Sequence, residues 1–206
     1  MTRGGYESDC LRLRVCDLAT TEQHFISEEI DLSFACVTWV SNTTLLCNAQ
    51  FRGRLQLVLV DLTDVNSPQL RYLPGGGSRT NEAIHKNEVL FLESSLNVPA
   101  VIRSAPLASF VPFNPEPLAV GDAPKFETPA EVRTLVNMNP KYSEGAVSIF
   151  SECHEFYFAG AHDHPIHAWY LAPPGLASDA PAKSVPLLLI VHGGPQGAFM
   201  DTWHYR

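Results

Sequence analysis

The sequence lacks a long hydrophobic run, an excess of basic residues and a cofactor-binding motif. No apolar stretch approaches the roughly 18 residues of a membrane-spanning helix, and residues 1–9 carry no apolar segment of the signal-peptide kind. The formal net charge of −8 argues against nucleic acid or an anionic membrane as the main partner, because both are negatively charged. Because the sequence shows no cofactor-binding motif, we expect no cofactor. The compartment stays open and could be cytoplasmic or secreted.

The cysteines are few and scattered. No Cys-x-x-Cys pair occurs, so neither a zinc site nor a thioredoxin-type site is expected. Their odd number and strand-like surroundings favour reduced, buried thiols over a disulfide framework. The five are Cys10, Cys16, Cys36, Cys47 and Cys153.

What the sequence does contain is globular material with an internal repeat. The 206 residues are 45% hydrophobic and 17% charged, which is typical of one domain or parts of two. Residues 11–18 alternate apolar and polar side chains and end in Asp-Leu, and residues 55–62 repeat this pattern. Residues 38–62 can also be laid on residues 83–107 with a shift of 45 and no gap. Short alternating strands at this period are typical of β-propeller blades.

The first half of the chain is predicted to be β-strands followed by a proline-rich loop. Residues 110–131 contain five prolines, which favour an extended surface loop, and residues 139–145 are the expected domain boundary. Alternation and turn residues predict strands at 34–40, 44–49, 55–62, 69–73, 89–93, 100–104 and, after the loop, 131–137.

The second half predicts a hairpin and then a different kind of strand. Residues 155–159 and 166–171 are expected to pair across a turn. Residues 185–191 form an aliphatic run without polar interruption, which favours a strand buried on both faces. This run leads directly into His192-Gly-Gly-Pro, where two glycines can bring backbone N–H groups close to a ligand. A buried strand ending in such a loop is how an α/β hydrolase builds one side of its oxyanion hole.

Residues 192–197, together with Trp203 and Arg206, resemble the prolyl oligopeptidase family of serine peptidases. The closest likeness is to its dipeptidyl peptidase V and acylaminoacyl-peptidase branch. Residues 160–175 are similar to the strand pair that opens the family's catalytic domain. Residues 93–99 and 5–9 are similar to segments of its propeller.

The resemblance implies a mainly β chain that comprises the last blades of a β-propeller followed by the first strands of an α/β-hydrolase domain. Residues 1–145 would be the partial propeller, with about two blades and the proline-rich loop, and residues 146–206 the start of the peptidase domain. The family cleaves short peptides near their N-termini with a Ser–Asp–His triad in that chain order. No Gly-x-Ser-x-Gly segment occurs here, and residues 76–80 lack the final glycine. We therefore expect the triad to lie beyond Arg206 and the chain alone to be inactive.

The candidate site residues fall into two groups. The oxyanion-hole loop comprises His192, Gly193, Gly194 and Pro195. The candidate lining of a substrate cleft comprises Gln196, Trp203 and Tyr205, although core packing is as good an interpretation of the two aromatic residues. By resemblance, Gly194 is the first choice of oxyanion donor and Gly193 the second. His192 is expected to shape the loop by hydrogen bonding, because the family's catalytic histidine lies far downstream.

Three further histidines surround the hairpin turn, at His162, His164 and His167. Strand alternation separates His167 from the other two, and only Asp163 has ligand spacing, so a solvated turn is favoured over a metal site.

Two other functions stay open. An esterase or lipase of the His-Gly-Gly-Gly type would carry glycine where Pro195 stands, and the upstream repeat also argues against it. A non-catalytic propeller module that binds a protein partner would lack a nucleophile altogether. For the peptidase interpretation the expected partner is a short peptide substrate, and neither its sequence nor the oligomeric state is predicted.

Overall fold

The computed structural model of the chain describes residues 5–6, 9–28, 30–114, 116, 118–122, 131–143, 153–176, 180–181, 183–194 and 196–204. Within these ranges the chain is mainly β, as expected from the alternating pattern. Its elements are β1 (Arg14–Cys16), β2 (Gln23–Phe25), β3 (Ser33–Trp39), β4 (Thr44–Phe51), β5 (Arg54–Asp61), β6 (Gln69–Tyr72), β7 (Ser78–His85), β8 (Glu88–Ser95), β9 (Val98–Pro106), β10 (Val111–Pro112), β11 (Arg133–Val136), α1 (Pro140–Ser143), β12 (Cys153–Ala159) and β13 (Pro165–Leu171). No helix in the described part is long and apolar enough to span a membrane.

The first sheet is an antiparallel meander of β3, β4, β5 and β6, with β10 added beside β6. Its two central strands are apolar on both faces, so the sheet takes part in two cores. On one face, Leu45 and Val58 pack against Leu13 and Ile26 of the segment that contains the β1–β2 hairpin. On the other face, Leu46 packs in a core shared with the second sheet.

The second sheet is an antiparallel meander of β7, β8 and β9, with β11 added beside β9. Val89, Phe91 and Ala105 face the first sheet and contact Leu57 and Leu59 there. The described core therefore consists of two stacked meanders with a hairpin packed on the outer face of the first.

The two meanders repeat each other in detail. β3 begins at Ser33 and β7 at Ser78, which is the predicted shift of 45. Each has a register irregularity at the equivalent place, between Ala35 and Thr38 in β3 and between Thr80 and Ala83 in β7. The repeat found in the sequence thus corresponds to two successive meanders with the same irregularity.

The contact between successive units also recurs. The hydroxyl of Ser33 accepts the N–H of Leu11 at 3.1 Å. The hydroxyl of Ser78 accepts the N–H of Leu55, also at 3.1 Å. Each serine opens the first strand of a meander and holds a strand of the preceding unit.

The predicted strands of the first half are all present, and the bounds differ by a few residues. The largest difference is at β7, which begins at Ser78, five residues before the repeat segment 83–107. Residues 131–137 contain β11, as predicted. The proline-rich loop contributes the two-residue strand β10, and residues 123–130 lie outside the described residues.

The hairpin of the second half is present, but the expected buried strand is not. β12 and β13 pair antiparallel over their full length, from Cys153 opposite Leu171 to Ala159 opposite Pro165. Residues 185–191 form no strand, and Leu187 is 84% exposed. The prediction of a strand buried on both faces is therefore wrong for this structure. A strand is buried only when neighbouring strands pair with it and other elements cover it, and none of the described strands pairs with residues 185–191.

The cysteine prediction is correct in part. All five thiols are free, but only Cys47 is buried, whereas Cys16 and Cys36 are exposed. These two lie on strands whose outer faces are uncovered, so a strand-like setting did not imply burial.

Candidate functional site

The loop at residues 192–197 has an exposed backbone and a defined turn. The N–H of Gly197 donates to the carbonyl of Gly194 at 3.0 Å. Gly194 has φ +66°, the left-handed conformation that favours glycine, and a Cβ atom at Gly193 or Gly194 would meet nothing within 4 Å. Both glycines are exposed, so their backbone is open to approach by a ligand. Pro195 lies outside the described residues.

The ring of His192 lies against its own loop. Its Nδ1 is 3.3 Å from the carbonyl oxygen of Gly193. The ring also packs edge-on against Phe199, with 5.8 Å between the centroids. His192 therefore connects the loop to the segment that follows it, residues 199–203.

Residues 199–203 attach this end of the chain to the rest of the fold. The carbonyl of Phe199 accepts the indole N–H of Trp169 on β13 at 2.8 Å. The N–H of Asp201 donates to the carbonyl of Gly53 at 2.7 Å. The N–H of Trp203 donates to the hydroxyl of Ser94 at 3.4 Å. The segment thus bridges the β12–β13 hairpin and the loop ends of both meanders.

Asp201 is buried at this junction, and its carboxylate contacts with the described residues go to the meanders. One oxygen accepts the N–H of Leu96 at 2.8 Å, and the other accepts the N–H of Gly77 at 3.2 Å. The latter oxygen is also 3.3 Å from Nε of Arg54. A single carboxylate therefore fixes the β4–β5 hairpin, the β6–β7 connection and the β8–β9 hairpin.

Arg54 lies between two carboxylates and under an indole ring. Its Nη1 is 2.8 Å from Oε2 of Glu155, and its guanidinium carbon is 5.0 Å from the centroid of Trp169. The same Glu155 oxygen is 3.0 Å from Nε2 of His167. The side chains of Arg54, Glu155 and Asp201 are only 7%, 9% and 8% exposed. We call these four residues and Asp201 the junction cluster: Arg54, Glu155, His167, Trp169 and Asp201.

The close approach of β13 to the β4–β5 hairpin requires Gly53. A Cβ atom there would lie 2.8 Å from Cε1 of His167 and 2.9 Å from Cζ2 of Trp169. The residue also has φ +67°. The short turn Arg52-Gly53 therefore lets β13 dock directly on the end of the first meander.

The electrostatics of the junction favour the charged form of Glu155. Burial raises the pKa of Glu155, but hydrogen bonds from His167 and Arg54 outweigh it, so the net pKa is lowered. Burial raises the pKa of the nearby Cys153 thiol to about 11, assisted by Asp201. Cys153 is therefore a protonated thiol at neutral pH and not an activated nucleophile. The ion pairs of the cluster therefore hold the β12–β13 hairpin and the segment of Asp201 to the first meander.

A cleft of about 350 Å³ opens beside the junction cluster. Its walls come from the loop ends of the second meander, from the β6–β7 connection and from the β12–β13 hairpin. The lining residues include Arg54, Glu93, Ser94, Arg103, Trp169 and Asp201. A volume of this size lies at the lower end of the range for small-molecule sites, about 300–1,000 Å³.

The structure separates the residues that the sequence suggested for a cleft. Gln196 is exposed and Trp203 is half-buried, and neither lines the cleft described above. Tyr205 lies outside the described residues. Around the hairpin turn, His162 and His164 are exposed, whereas His167 is half-buried against Glu155. In the described part of the chain no three His, Cys, Asp or Glu side chains are arranged to hold a metal ion.

The junction cluster was missed at the level of sequence. Arg54 and Glu155 are 101 residues apart, and Leu96 and Asp201 are 105 apart. No spacing rule connects such positions. The available signal was weak: Glu155 directly precedes the aromatic residues 156–158 of β12, and Arg54 is the first residue of the aliphatic strand β5.

The comparisons with known proteins point to peptidases. No protein-family model matches the sequence. A probable dipeptidyl-peptidase 5 of Aspergillus niger is 27% identical over 208 residues, covering 100% of this chain and 25% of that protein. A probable dipeptidyl-peptidase 5 of Emericella nidulans is 23% identical over 202 residues, covering 98% of this chain and 25% of that protein. The dipeptidyl-peptidase 5 of Schizosaccharomyces pombe is 40% identical over 52 residues, covering 25% of this chain and 7% of that protein.

The chain thus spans about a quarter of the length of the curated relatives that match it from end to end. The sequence is distantly similar, along its whole length, to proteins named as dipeptidyl peptidases. Its structure contains two stacked meanders, a docked hairpin and an exposed His-Gly-Gly loop. These similarities support the assignment of the chain to a dipeptidyl peptidase family.

Proposed function

We propose that the chain is part of a serine-type peptidase of the prolyl oligopeptidase family that hydrolyses short peptides near their N-termini. Within that family we assign it to the dipeptidyl peptidase V and acylaminoacyl-peptidase branch. Residues 1–145 contribute blades of a β-propeller, and residues 146–206 begin the α/β-hydrolase domain. End-to-end similarity to proteins named dipeptidyl-peptidase 5 supports this proposal, as do the two repeated meanders.

The observation that carries the proposal furthest is the physical link between the His-Gly-Gly loop and the cleft. His192 packs on Phe199, whose carbonyl accepts the indole N–H of Trp169, a residue of the cleft wall. Asp201, two residues after Phe199, is fixed to both meanders. The loop is therefore held at the junction where propeller and hydrolase parts meet in the proposed protein.

In the proposed mechanism the loop stabilises negative charge. A serine hydroxyl, activated by a histidine base that an aspartate orients, attacks the peptide carbonyl. The N–H of Gly194 is the first choice to bind the resulting oxyanion and that of Gly193 the second, each contributing about 3 kcal/mol to transition-state stabilisation. His192 orients the loop through the Gly193 carbonyl. The proposal assigns the nucleophile, the base and its aspartate to chain outside these 206 residues.

The test compares two proteins with one assay. The complete open reading frame that contains this chain is expected to release dipeptides from dipeptidyl-coumarin substrates and to react with a fluorophosphonate probe for activated serines. The 206-residue chain is expected to do neither. If the complete protein releases no dipeptides and does not react with the probe, the proposed function is wrong. Hydrolysis by the 206-residue chain alone would instead disprove the location given to the nucleophile.

A further inference from the structure

The wall of the cleft carries a guanidinium that the proposed mechanism does not use. Arg103 lies on β9 opposite Phe91 of β8, and its side chain is 30% exposed. Its Nε is 2.9 Å from Oε1 of Glu93. Among the described residues, Glu93 is the ion-pair partner found for Arg103, and the Arg103 side chain is part of the cleft wall.

Arg103 shares its carboxylate partner with a second guanidinium group. The other oxygen of Glu93 is 2.8 Å from Nε of Arg79. Arg79 is almost fully buried, and its remaining nitrogens donate to the carbonyls of Leu73 at 2.5 Å and Pro74 at 2.9 Å. One carboxylate thus serves two guanidinium groups. Arg79 is enclosed, so Arg103 is the one of the two guanidinium groups that lies on the cleft wall.

The other charged wall does not compete for an anion. Arg54 is matched there by two carboxylates, Glu155 and Asp201. The rest of the lining includes small polar groups that can bind an uncharged backbone, among them Ser94, Ser95 and Asn97. Glu155 is paired with Arg54 and His167, and Asp201 with Arg54 and two backbone N–H groups, so Arg103 is the guanidinium of the cleft that shares its carboxylate with another arginine.

These observations favour a monoanionic planar ligand over a phosphate. Two parallel N–H groups of a guanidinium match the two oxygens of a carboxylate. Glu93 lies directly beside Arg103 and would repel a second negative charge. A volume of about 350 Å³ is suited to a ligand of a few residues.

We propose that Arg103 binds the C-terminal carboxylate of a short peptide in this cleft. The choice of a peptide rests on the proposed function, and the inference deepens it by naming the end of the peptide that is recognised. In this arrangement Glu93 and Arg79 are positioning residues, because they hold the guanidinium toward the cleft without touching the ligand.

The test uses two probes that differ only at their C-terminus, dialanine and dialanine amide. Their binding to the complete protein that contains this chain is measured by calorimetric titration. Dialanine is expected to bind at least about 10-fold more tightly than its amide, because the amide lacks the charge that the guanidinium recognises. Equal affinity, or no binding of either probe at millimolar concentration, overturns the proposal without any variant being needed.

Substitutions test whether Arg103 is the residue that gives the preference for dialanine over its amide. Arg103→Gln is expected to remove the preference for the acid and leave the affinity for the amide unchanged, and Arg103→Lys to restore part of it. The control is Arg71→Gln, because Arg71 lies on β6 and is not part of the cleft lining. This variant should keep the full preference for dialanine over its amide. If Arg103→Gln keeps the preference too, the carboxylate binds elsewhere and the proposal is wrong.

Inorganic phosphate separates a peptide site from a general anion site. It is expected to displace dialanine only weakly, and displacement as efficient as that by unlabelled dialanine overturns the peptide assignment. None of these binding measurements needs turnover. A negative binding result can therefore be told apart from a negative result in the peptidase assay.

Discussion

At the scale of single residues, Asp201 connects parts of the chain that are far apart in sequence. Its carboxylate accepts two backbone N–H groups and pairs with Arg54, all at a buried position. Removing one partner of a buried pair leaves the other charge without compensation, which typically costs about 3–5 kcal/mol. We expect Asp201→Ala to lower the free energy of unfolding by this amount, measured by urea unfolding. Asp201→Asn is expected to lose somewhat less, because its amide oxygen can still accept one N–H.

The matched control for Asp201 is Asp64, an exposed aspartate in the turn before β6 whose carboxylate accepts the N–H of Asn66. Asp64→Asn should change stability by no more than about 0.5 kcal/mol. Equal losses for Asp64→Asn and Asp201→Asn would contradict the assignment of Asp201 as the anchor of the junction.

Glu82 on β7 presents the opposite case of a carboxylate that costs stability. Its Oε2 is buried without a hydrogen-bond partner in the described structure. Burial raises the pKa of Glu82, and a hydrogen bond with Asn48 offsets this only in part. Because the folded-state pKa lies above the ordinary value of 4.5, the charged form is disfavoured in the folded chain. Stability should therefore rise as the pH falls through the folded-state pKa.

We accordingly expect Glu82→Gln to stabilise the chain at pH 7 by about 0.5 kcal/mol, a value reduced for partial solvent exposure. The gain should shrink as the pH approaches 4.5, because wild-type Glu82 then becomes neutral too. Urea unfolding at both pH values measures this. Glu22→Gln, at an exposed position, should show no such difference, and a loss of stability in Glu82→Gln at pH 7 would contradict the argument.

At the scale of elements, the irregularity in the first strand of each meander has a conformational signature. Cys36 has φ +50° and Asn81 has φ +54°, 45 residues apart. Asparagine tolerates the left-handed region, whereas cysteine is strained there. The same backbone feature is thus occupied by a suitable residue in one unit and by an unsuitable one in the other.

This difference predicts that Cys36→Gly stabilises the chain by up to about 1 kcal/mol, since glycine adopts positive φ without a Cβ clash. Thermal unfolding would measure the gain. Cys16→Gly is the control, because Cys16 is also exposed but lies on β1 without a positive φ. There glycine should destabilise by roughly 0.5–1 kcal/mol. If both substitutions destabilise, the strain at Cys36 is not real.

The elements that the sequence predicted are those whose burial is apolar. β4, β5, β8 and β9 carry aliphatic residues that recur at strand spacing, and the period of 45 relates one meander to the other. The start of β7 was missed because Ser78-Arg79-Thr80 is polar. Ser78 and Arg79 are nevertheless buried, since a backbone N–H and the carboxylate of Glu93 satisfy them. Hydrophobic patterning cannot detect burial that depends on polar partners.

The candidate site was predictable only where its chemistry is local. The His192-Gly-Gly segment is a contiguous motif, and the structure shows the exposed turn that such a motif suggests. The junction cluster and the cleft depend instead on contacts between residues about a hundred positions apart. Such contacts follow from how β12 and β13 dock on the meanders, which no pattern within either segment encodes.

At the scale of the whole molecule, burial and exposure of aliphatic residues are unevenly distributed. The two meanders enclose continuous cores, whereas Leu187 to Val191 expose five consecutive aliphatic side chains, from 64% to 84% each. The sequence prediction failed here for a physical reason: a run of this kind is competent for a buried strand, but only partners can bury it. An exposed apolar run with strand propensity is a site of self-association.

We therefore expect the 206-residue chain to aggregate through this run. The double variant Leu188→Glu and Ile190→Glu should lower light scattering during incubation at 37 °C several-fold, because charges interrupt the apolar segment. The melting temperature should stay within about 2 °C, since neither side chain is buried. The control is the double variant Asn42→Glu and Ala108→Glu, which adds the same charge at two exposed positions elsewhere. If the control suppresses scattering equally, net charge and not the aliphatic run governs association, and if neither variant does, aggregation begins from another surface.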